Sequence, residues 1–193
     1  MDIFSFLAES FDLPILEWIA ANLRCGFLDF VMPIITLLGD AGIFWIAVGV
    51  VLAFIPRYRK TGIAMLTALV IGLVVCNITL KPLVGRERPY DYQLKNFGIT
   101  IDLLIEAQHD FSFPSGHTIA SFEAATVLLI NNRKLGIPAM VLAVLIAFSR
   151  MYLYVHYPTD VLASVILGIG IAYLGNFLVN KVFALWKSGK EAS

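Results

Sequence analysis

Long apolar runs separated by short polar stretches make up most of the chain between residues 27 and 185. Six of these runs predict membrane-spanning helices, because about 20 apolar residues in helical form cross a hydrocarbon core about 30 Å thick. They cover residues 27–38, 41–55, 61–80, 118–130, 138–149 and 159–185. The third and sixth are long enough to span unaided, whereas the shorter runs also fit a buried core helix or a re-entrant segment.

Residues 1–26 have a different pattern of apolar positions. Asp12 followed by Pro14 is typical of a helix start, and Leu13 and Leu16 then recur at helical spacing. This pattern predicts an amphipathic helix that lies in the membrane interface on the cytoplasmic side. A plain extension of the first span is the alternative.

The composition supports the membrane assignment. Of 193 residues, 59% are hydrophobic and 15% are charged, whereas a soluble domain is about half apolar and about a quarter charged. The formal net charge is zero, which gives nucleic acid binding no electrostatic support. The sequence therefore predicts an all-α integral membrane protein with one domain, residues 1–193. It comprises the interfacial segment 1–26 and a six-transmembrane-helix bundle over residues 27–185.

Basic residues are distributed unequally between the two ends of the predicted bundle. One end carries Arg24, Arg57, Arg59, Lys60, Arg133, Lys134, Lys181, Lys187 and Lys190. The other end carries Lys81, Arg86, Arg88, Lys95 and Arg150. Because cytoplasmic loops carry an excess of Lys and Arg, we expect a multi-pass protein of the cell membrane with both termini in the cytoplasm.

Three polar segments lie at the outer ends of spans three to six. The first carries Lys81 and Arg88 with six residues between them, and Pro82 and Pro89 stiffen it. Positive charge is disfavoured on this side of a membrane, so an anion-binding site explains these residues better than charges that merely close a helix. An arginine guanidinium matches phosphate oxygens as a planar fork, and a lysine ammonium acts as a point charge.

The second segment opens the fourth span with Pro114, Ser115, Gly116 and His117. Ser115 is a good N-cap, and Gly116 allows a ligand to approach the backbone closely. The free N–H groups at such a helix start favour anion binding, and His117 in the first turn lies within reach of the bound anion. A simple helix cap is the alternative interpretation.

The third segment joins the fifth and sixth spans and carries Arg150, His156, Pro158 and Asp160. Pro158 suits the first turn of a helix, which places His156 just before that helix and Asp160 in its opening turn. A carboxylate at this position can accept an N–H from the imidazole and fix its tautomer, as in a nucleophile and its orienting group. Alternatively, Asp160 caps the helix and His156 is an interfacial polar residue.

Together the three segments bring cations, two histidines and a carboxylate to one membrane face. Phosphoryl transfer requires this set of groups, and ionisable residues at membrane depth are functional candidates. The sequence here resembles the type 2 phosphatidic acid phosphatase superfamily. The three signature motifs of that family match Lys81 with Arg88-Pro89, Pro114-Ser115-Gly116-His117, and Ser149-Arg150 with His156 and Asp160.

The resemblance implies a metal-independent phosphatase that needs no cofactor and forms a phosphohistidine. His156 would attack phosphorus while Asp160 orients it. His117 would protonate the leaving oxygen and then activate the water that hydrolyses the intermediate. The phosphoryl oxygens would be held by Lys81, Arg88, Arg150, Ser115 and the Gly116 amide.

The short fourth span predicts a site below the outer headgroups, which a lipid can enter sideways with its tail in the bilayer. We therefore predict hydrolysis of a lipid phosphate at the extracytoplasmic face, with membrane lipids and the lipid substrate as partners. Among the substrates that the resemblance implies, undecaprenyl diphosphate is favoured, followed by phosphatidylglycerophosphate and phosphatidic acid. A lipid phosphotransferase using the same phosphohistidine is the alternative. A membrane transporter or lipid-binding protein is the non-enzyme alternative, although the sequence has no inverted repeats.

Glu123 lies two turns deeper than His117 in the fourth span, where a carboxyl group is costly. We expect it to form a structural hydrogen bond with a buried partner, and shaping of the site is the alternative. The sequence predicts nothing about the oligomeric state.

Overall fold

The computed structural model of the protein describes residues 3–191, apart from the side chains of residues 189–191. This range contains helices and no β-strand, which confirms the predicted all-α class. The α-helices are α1 (Ile3–Leu7), α2 (Leu13–Leu23), α3 (Gly26–Leu37), α4 (Ile43–Phe54), α5 (Arg59–Gly72), α6 (Lys81–Val84), α7 (Pro89–Phe97), α8 (Gly116–Asn131), α9 (Arg133–Tyr152) and α10 (Pro158–Glu191). The predicted interfacial residues 1 and 2 and the side chain of Lys190 lie outside the described part.

Short stretches of other helix types connect several of these elements. π-Helical turns at Ala8–Asp12 and Leu73–Leu80 join α1 to α2 and α5 to α6 without a break. A 3-10 turn at Asp40–Gly42 precedes α4. π-Helical turns inside α-helices are frequent near functional sites.

Helices α3 and α4 form a bent pair, a geometry that fits either one broken span or a re-entrant segment. The axis of α3 differs by 41° from that of residues Asp40–Phe54, across a break at residues 38 and 39. Just after this break, Ala41 and Gly42 adopt left-handed backbone conformations (φ 48° and 67°). Within the described residues, three helices are long and apolar enough to cross a membrane, or four if this pair is one span. The predicted count of six separate spans is therefore not confirmed, because its first two runs, 27–38 and 41–55, are the two halves of this pair.

The α1–α2 segment lies at the end of the bundle where α10 begins. The buried Asp12 carboxylate accepts hydrogen bonds from the Thr159 amide (2.8 Å) and the Thr159 hydroxyl (2.7 Å) in the first turn of α10. Since α10 has 34 residues and each adds about 1.5 Å, its other end lies about 50 Å away. This placement corrects the prediction that the N-terminal segment lies on the same face as the C-terminus.

The apolar face of α2 packs against protein. Leu13, Leu16 and Ile19 form one buried cluster with residues 152–155 and Tyr157. The amphipathic pattern of α2 is visible in the sequence, but such a pattern does not identify the surface that covers the apolar face. Here the loop between α9 and α10 covers it, and α2 in turn supports that loop.

The core of the bundle is built around α8. This helix has 16 residues, too few for an unaided crossing, and it packs against α5, α9 and α10. The indole N–H of Trp45 in α4 donates to the Ser121 hydroxyl of α8 (3.0 Å). Outward-facing apolar side chains elsewhere are exposed, such as Phe54 (78%) and Ile166 (73%), as expected of a surface that contacts lipid.

Candidate active site

The three polar segments meet at one cavity. Its volume is about 380 Å³, and it lies between α5, α8 and the loops that adjoin α6 and α9. The predicted site residues that line it are Lys81, Arg88, Gly116, His117, Arg150 and His156. The structure therefore brings both imidazoles and all three predicted cations to the same space.

His156 lies in the buried loop formed by residues 153–157. Tyr154 in this loop has a left-handed backbone (φ 62°), a strained conformation that turns the chain back so that the Arg150 carbonyl accepts the His156 amide (3.3 Å). His156 Nε2 lies 3.4 Å from Arg88 Nη1. Burial of the ring is the main reason that the pKa of His156 lies well below its usual value, and the charges of Arg88 and Arg150 lower it further. The imidazole is therefore neutral near pH 7, as a nucleophile requires.

Asp160 lies next to His156 without a hydrogen bond between their side chains. His156 Nδ1 and Asp160 Oδ2 are 3.7 Å apart, and Nδ1 has no hydrogen-bond partner among the described residues. Asp160 Oδ2 instead accepts hydrogen bonds from the Ser112 hydroxyl and the Tyr157 amide. The predicted side-chain pair is thus adjacent, with the carboxylate on the Nδ1 side of the ring.

Arg86 holds Asp160 in place, and sequence reasoning assigned it no role. Its guanidinium donates to Asp160 Oδ1 (2.5 Å) and to Asp12 Oδ2 (2.7 Å) and is almost fully buried. It also lies over the ring of Tyr157, 3.8 Å from the centroid. The one signal in the sequence was that Arg86 is a cation at the end of the bundle where cations are disfavoured.

Lys81 and Arg88 converge on the carboxylate of Asp110, which sequence reasoning also missed. Each donates to a different oxygen of Asp110. Partial burial opposes ionisation of this carboxyl, but the hydrogen bonds from the two cations hold its pKa far below the usual range. Arg88 is fixed further by donating to the Val155 carbonyl (2.6 Å). The two cations are therefore arranged to bind an oxyanion.

Arg150 is the third cation, and it lies beside His117. Its Nη1 donates to the Thr36 hydroxyl (2.7 Å) and lies 3.3 Å from His117 Nε2. Its buried Nε has no partner within the described part of the chain. A buried donor without a partner has a free-energy cost, so Arg150 has hydrogen-bonding capacity left for a ligand.

The start of α8 carries the remaining predicted residues. The Ser115 hydroxyl caps the helix by accepting from the Thr118 amide (3.5 Å) and the Thr118 hydroxyl (2.9 Å), which agrees with the alternative of a simple cap. Gly116 faces the Asn77 side chain, and a Cβ there would lie 3.1 Å from Asn77 Oδ1. His117 Nε2 lies 2.6 Å from Oδ1 of Asp40, a contact that the sequence did not predict.

Glu123 lines the deep part of the same cavity. It is 1% exposed, and its Oε1 has no hydrogen-bond partner among the described residues. The structural hydrogen bond expected for Glu123 is therefore not found at this oxygen. The alternative, in which this side chain shapes the cavity, fits its position.

No group of three or more His, Cys, Asp or Glu side chains is arranged to hold a metal ion within the described residues. The positive charge of the site comes from Lys81, Arg88 and Arg150. Lys and Arg stabilise phosphoryl oxygens electrostatically in the way a bound cation does.

Comparison with known proteins defines the class. The model of the PAP2 superfamily matches residues 61–184, more than half of the chain, so the protein belongs to this superfamily. The match confirms the resemblance seen in the three motifs. The matched residues extend from the first turn of α5 into α10 and include every predicted site residue.

Individual relatives agree with this assignment. The chain is 35% identical over 131 residues to an undecaprenyl-diphosphatase of Sulfolobus acidocaldarius, a match that covers 67% of this chain and 61% of the relative. It resembles a PAP2-type phosphatidylglycerolphosphate phosphatase from Bacillus subtilis, with a TM-score of 0.71, 28% identity and 93% of each chain covered. It also resembles Aquifex aeolicus LpxE, with a TM-score of 0.74 and 26% identity over 91% of this chain and 98% of that one.

Proposed function

We propose that the protein hydrolyses a lipid phosphate or diphosphate through a covalent phosphohistidine. The observation that carries the proposal is a single cavity lined by His117, His156 and three cations. A nucleophile, a proton donor and charges for the phosphoryl oxygens are the groups that this reaction needs.

In the first step, Nε2 of His156 attacks phosphorus and the bond from phosphorus to the leaving oxygen breaks. Lys81, Arg88 and Arg150 balance the charge on the phosphoryl oxygens. Nε2 of His117 gives its proton to the leaving oxygen, so that the lipid departs as an alcohol or, from a diphosphate, as a monophosphate. Asp160, on the Nδ1 side of His156, stabilises the positive charge that the ring acquires.

In the second step, water attacks the phosphohistidine. His117, now neutral, takes a proton from this water as the new bond to phosphorus forms and the phosphorus–nitrogen bond breaks. Inorganic phosphate leaves, and both imidazoles return to their starting states. The net reaction consumes one water and releases one phosphate.

The cavity favours a lipid substrate over a soluble phosphate. Below the charged groups it is lined by apolar residues of α4, α5 and α8, namely Ile46, Leu66, Leu69, Val70, Ile119 and Ala120. An apolar chain attached to the phosphate can lie there. Of the candidate substrates we favour undecaprenyl diphosphate, which the name of the Sulfolobus relative supports, followed by phosphatidylglycerophosphate and phosphatidic acid.

We further propose that the site faces the outside of the cell membrane and that the C-terminus is cytoplasmic. Seven cations lie at the end of the bundle away from the site, and Lys190 follows them in the sequence. The seven are Arg57, Arg59, Lys60, Arg133, Lys134, Lys181 and Lys187. Of the cations at the site end, Lys81, Arg86, Arg88 and Arg150 contact site residues. The remaining bias follows the positive-inside rule.

The test is release of inorganic phosphate from a panel of lipid phosphates and diphosphates in detergent with excess chelator. We expect turnover by the wild-type protein and its loss, by a factor of at least about 10³, in His156→Ala. If the chelator stopped phosphate release and added magnesium restored it, the metal-free mechanism would be contradicted. Transfer of the phosphoryl group to an acceptor lipid with little free phosphate would identify a phosphotransferase instead.

A further inference from the structure

The turn between α3 and α4 is built against the ring of His117. Asp40 Oδ1 lies 2.6 Å from His117 Nε2. Gly39 leaves no room for a side chain, because a Cβ there would lie 2.7 Å from His117 Cδ2 and 2.9 Å from Ile146 Cγ2. Ala41, the next residue after Asp40, has φ 48°, a conformation that costs energy for any residue other than glycine. Such strain, where it is held in place by packing, is often found at functional sites.

Several charged groups surround the imidazole of His117. Arg150 Nη1 from α9 lies 3.3 Å from Nε2, and Lys81, Arg88, His156 and Glu123 line the same cavity. Asp110 neutralises part of the charge of Lys81 and Arg88. The cations oppose a proton on His117, and Asp40 is the carboxylate that contacts the ring. A carboxylate beside an imidazole favours its protonated form.

We propose that Asp40 is a positioning residue that keeps the reactive proton on Nε2 of His117 and orients the ring toward the leaving group. This inference rests on the proposed function, in which His117 is the acid of the first step. Negative charge builds on the leaving oxygen as its bond to phosphorus breaks. This oxygen then takes the proton from Nε2 of His117, which until then is hydrogen-bonded to Asp40. In the second step a proton from water returns to Nε2, and the pair with Asp40 forms again.

A leaving-group comparison tests this role. Hexyl phosphate has a poor leaving group that needs a proton, whereas 4-nitrophenyl phosphate has a good leaving group that departs without one. We expect Asp40→Asn to lower kcat for hexyl phosphate by about 100-fold, the typical contribution of general acid catalysis, with KM changed little. The first turnover of 4-nitrophenyl phosphate is measured as a burst of one nitrophenolate per enzyme. We expect the rate of this burst to fall less than about threefold in Asp40→Asn.

Two variants serve as controls. Asp102→Asn removes one exposed carboxylate from the loop before α8 and should leave both substrates at wild-type rates. Asp40→Glu retains the carboxylate, so its kcat for hexyl phosphate should be about tenfold higher than that of Asp40→Asn. The burst itself reports that Asp40→Asn is folded, because it requires His156 and the three cations.

The outcomes separate the inference from the proposed function. Equal losses on both substrates, a rise in KM alone, or wild-type kinetics in Asp40→Asn would overturn the role of Asp40 and leave the phosphatase activity intact. Loss of the burst with no recovery in Asp40→Glu would also overturn it, because Asp40 would then be structural. A wild-type protein that releases no phosphate from any substrate would overturn the proposed function and this inference with it.

Discussion

Asp110 occupies the place where an oxyanion would bind between Lys81 and Arg88. Its two carboxylate oxygens accept hydrogen bonds from the two cations, and its side chain is 53% exposed. Under the proposed function, a substrate phosphate would have to displace this carboxylate or share the cations with it. The Asp110 carboxylate partly neutralises the positive charge of Lys81 and Arg88, which reduces the cost of keeping two cations close together.

Replacing Asp110 by Asn should therefore strengthen substrate binding. The amide keeps the size of the side chain but competes poorly for the cations, so we expect KM for a soluble phosphate monoester to fall about fivefold, the equivalent of about 1 kcal/mol for a partly exposed ion pair. Steady-state kinetics measure this change, with Asp91→Asn on the exposed side of α7 as the control. A rise in KM would show instead that Asp110 orients the two cations for the substrate.

The N-terminal helices act at the scale of elements, because they close the site end of the bundle. Asp12 caps α10 through Thr159 and pairs with Arg86, which in turn holds Asp160. The contact thus links the turn before α2, the segment after α6 and the first turn of α10. Because both charges are buried, neither can be satisfied by water if the other is removed.

Replacing Asp12 by Ala should destabilise the protein. Loss of one partner of a buried ion pair costs on the order of 3 kcal/mol, and loss of the two hydrogen bonds from Thr159 adds to this. Thermal unfolding in detergent should show a midpoint lower by several degrees. The matched control is Glu9→Gln, which alters an exposed carboxylate bonded to Tyr92 and should change stability by less than about 0.5 kcal/mol. Equal midpoints for the two variants would contradict a structural role for Asp12.

Prediction from sequence succeeded for features that follow the local pattern of the chain. The apolar runs identified α5, α9 and α10, and six residues of the three motifs line the cavity: Lys81, Arg88, Gly116, His117, Arg150 and His156. Contacts between distant residues could not be predicted, because Asp12 pairs with Arg86 across 74 positions and Asp40 contacts His117 across 77. The shape of the break at residues 39–42 could not be predicted either. A glycine and an aspartate between apolar runs indicate a loop, but not whether the chain reverses there or only bends by 41°.

At the scale of the whole molecule, the bend between α3 and α4 decides the orientation of the N-terminal segment. Two separate spans would return the chain to the face from which it started, whereas one bent span carries it across once. If the pair is one bent span, the chain crosses once before α5 and the α1–α2 segment lies on the same face as the site, which agrees with the contact between Asp12 and Thr159. Arg24 then belongs to the cations at the site end, where it lies within 3.5 Å of the Asp102 carbonyl.

Cys25 tests this orientation directly. It is exposed and lies at the site end, whereas Cys76 is buried and should not react. If the site faces outward, a membrane-impermeant maleimide should label the wild-type protein in intact spheroplasts, and Cys25→Ser should abolish the labelling. In that background Ser188→Cys, at the opposite end of α10, should be labelled only after permeabilisation. Labelling of Ser188→Cys in intact spheroplasts, with protection of Cys25, would reverse the orientation. Protection of both cysteines would place the N-terminal segment on the cytoplasmic face together with the C-terminal end of α10. That result would contradict the hydrogen bonds between the N-terminal segment and the start of α10.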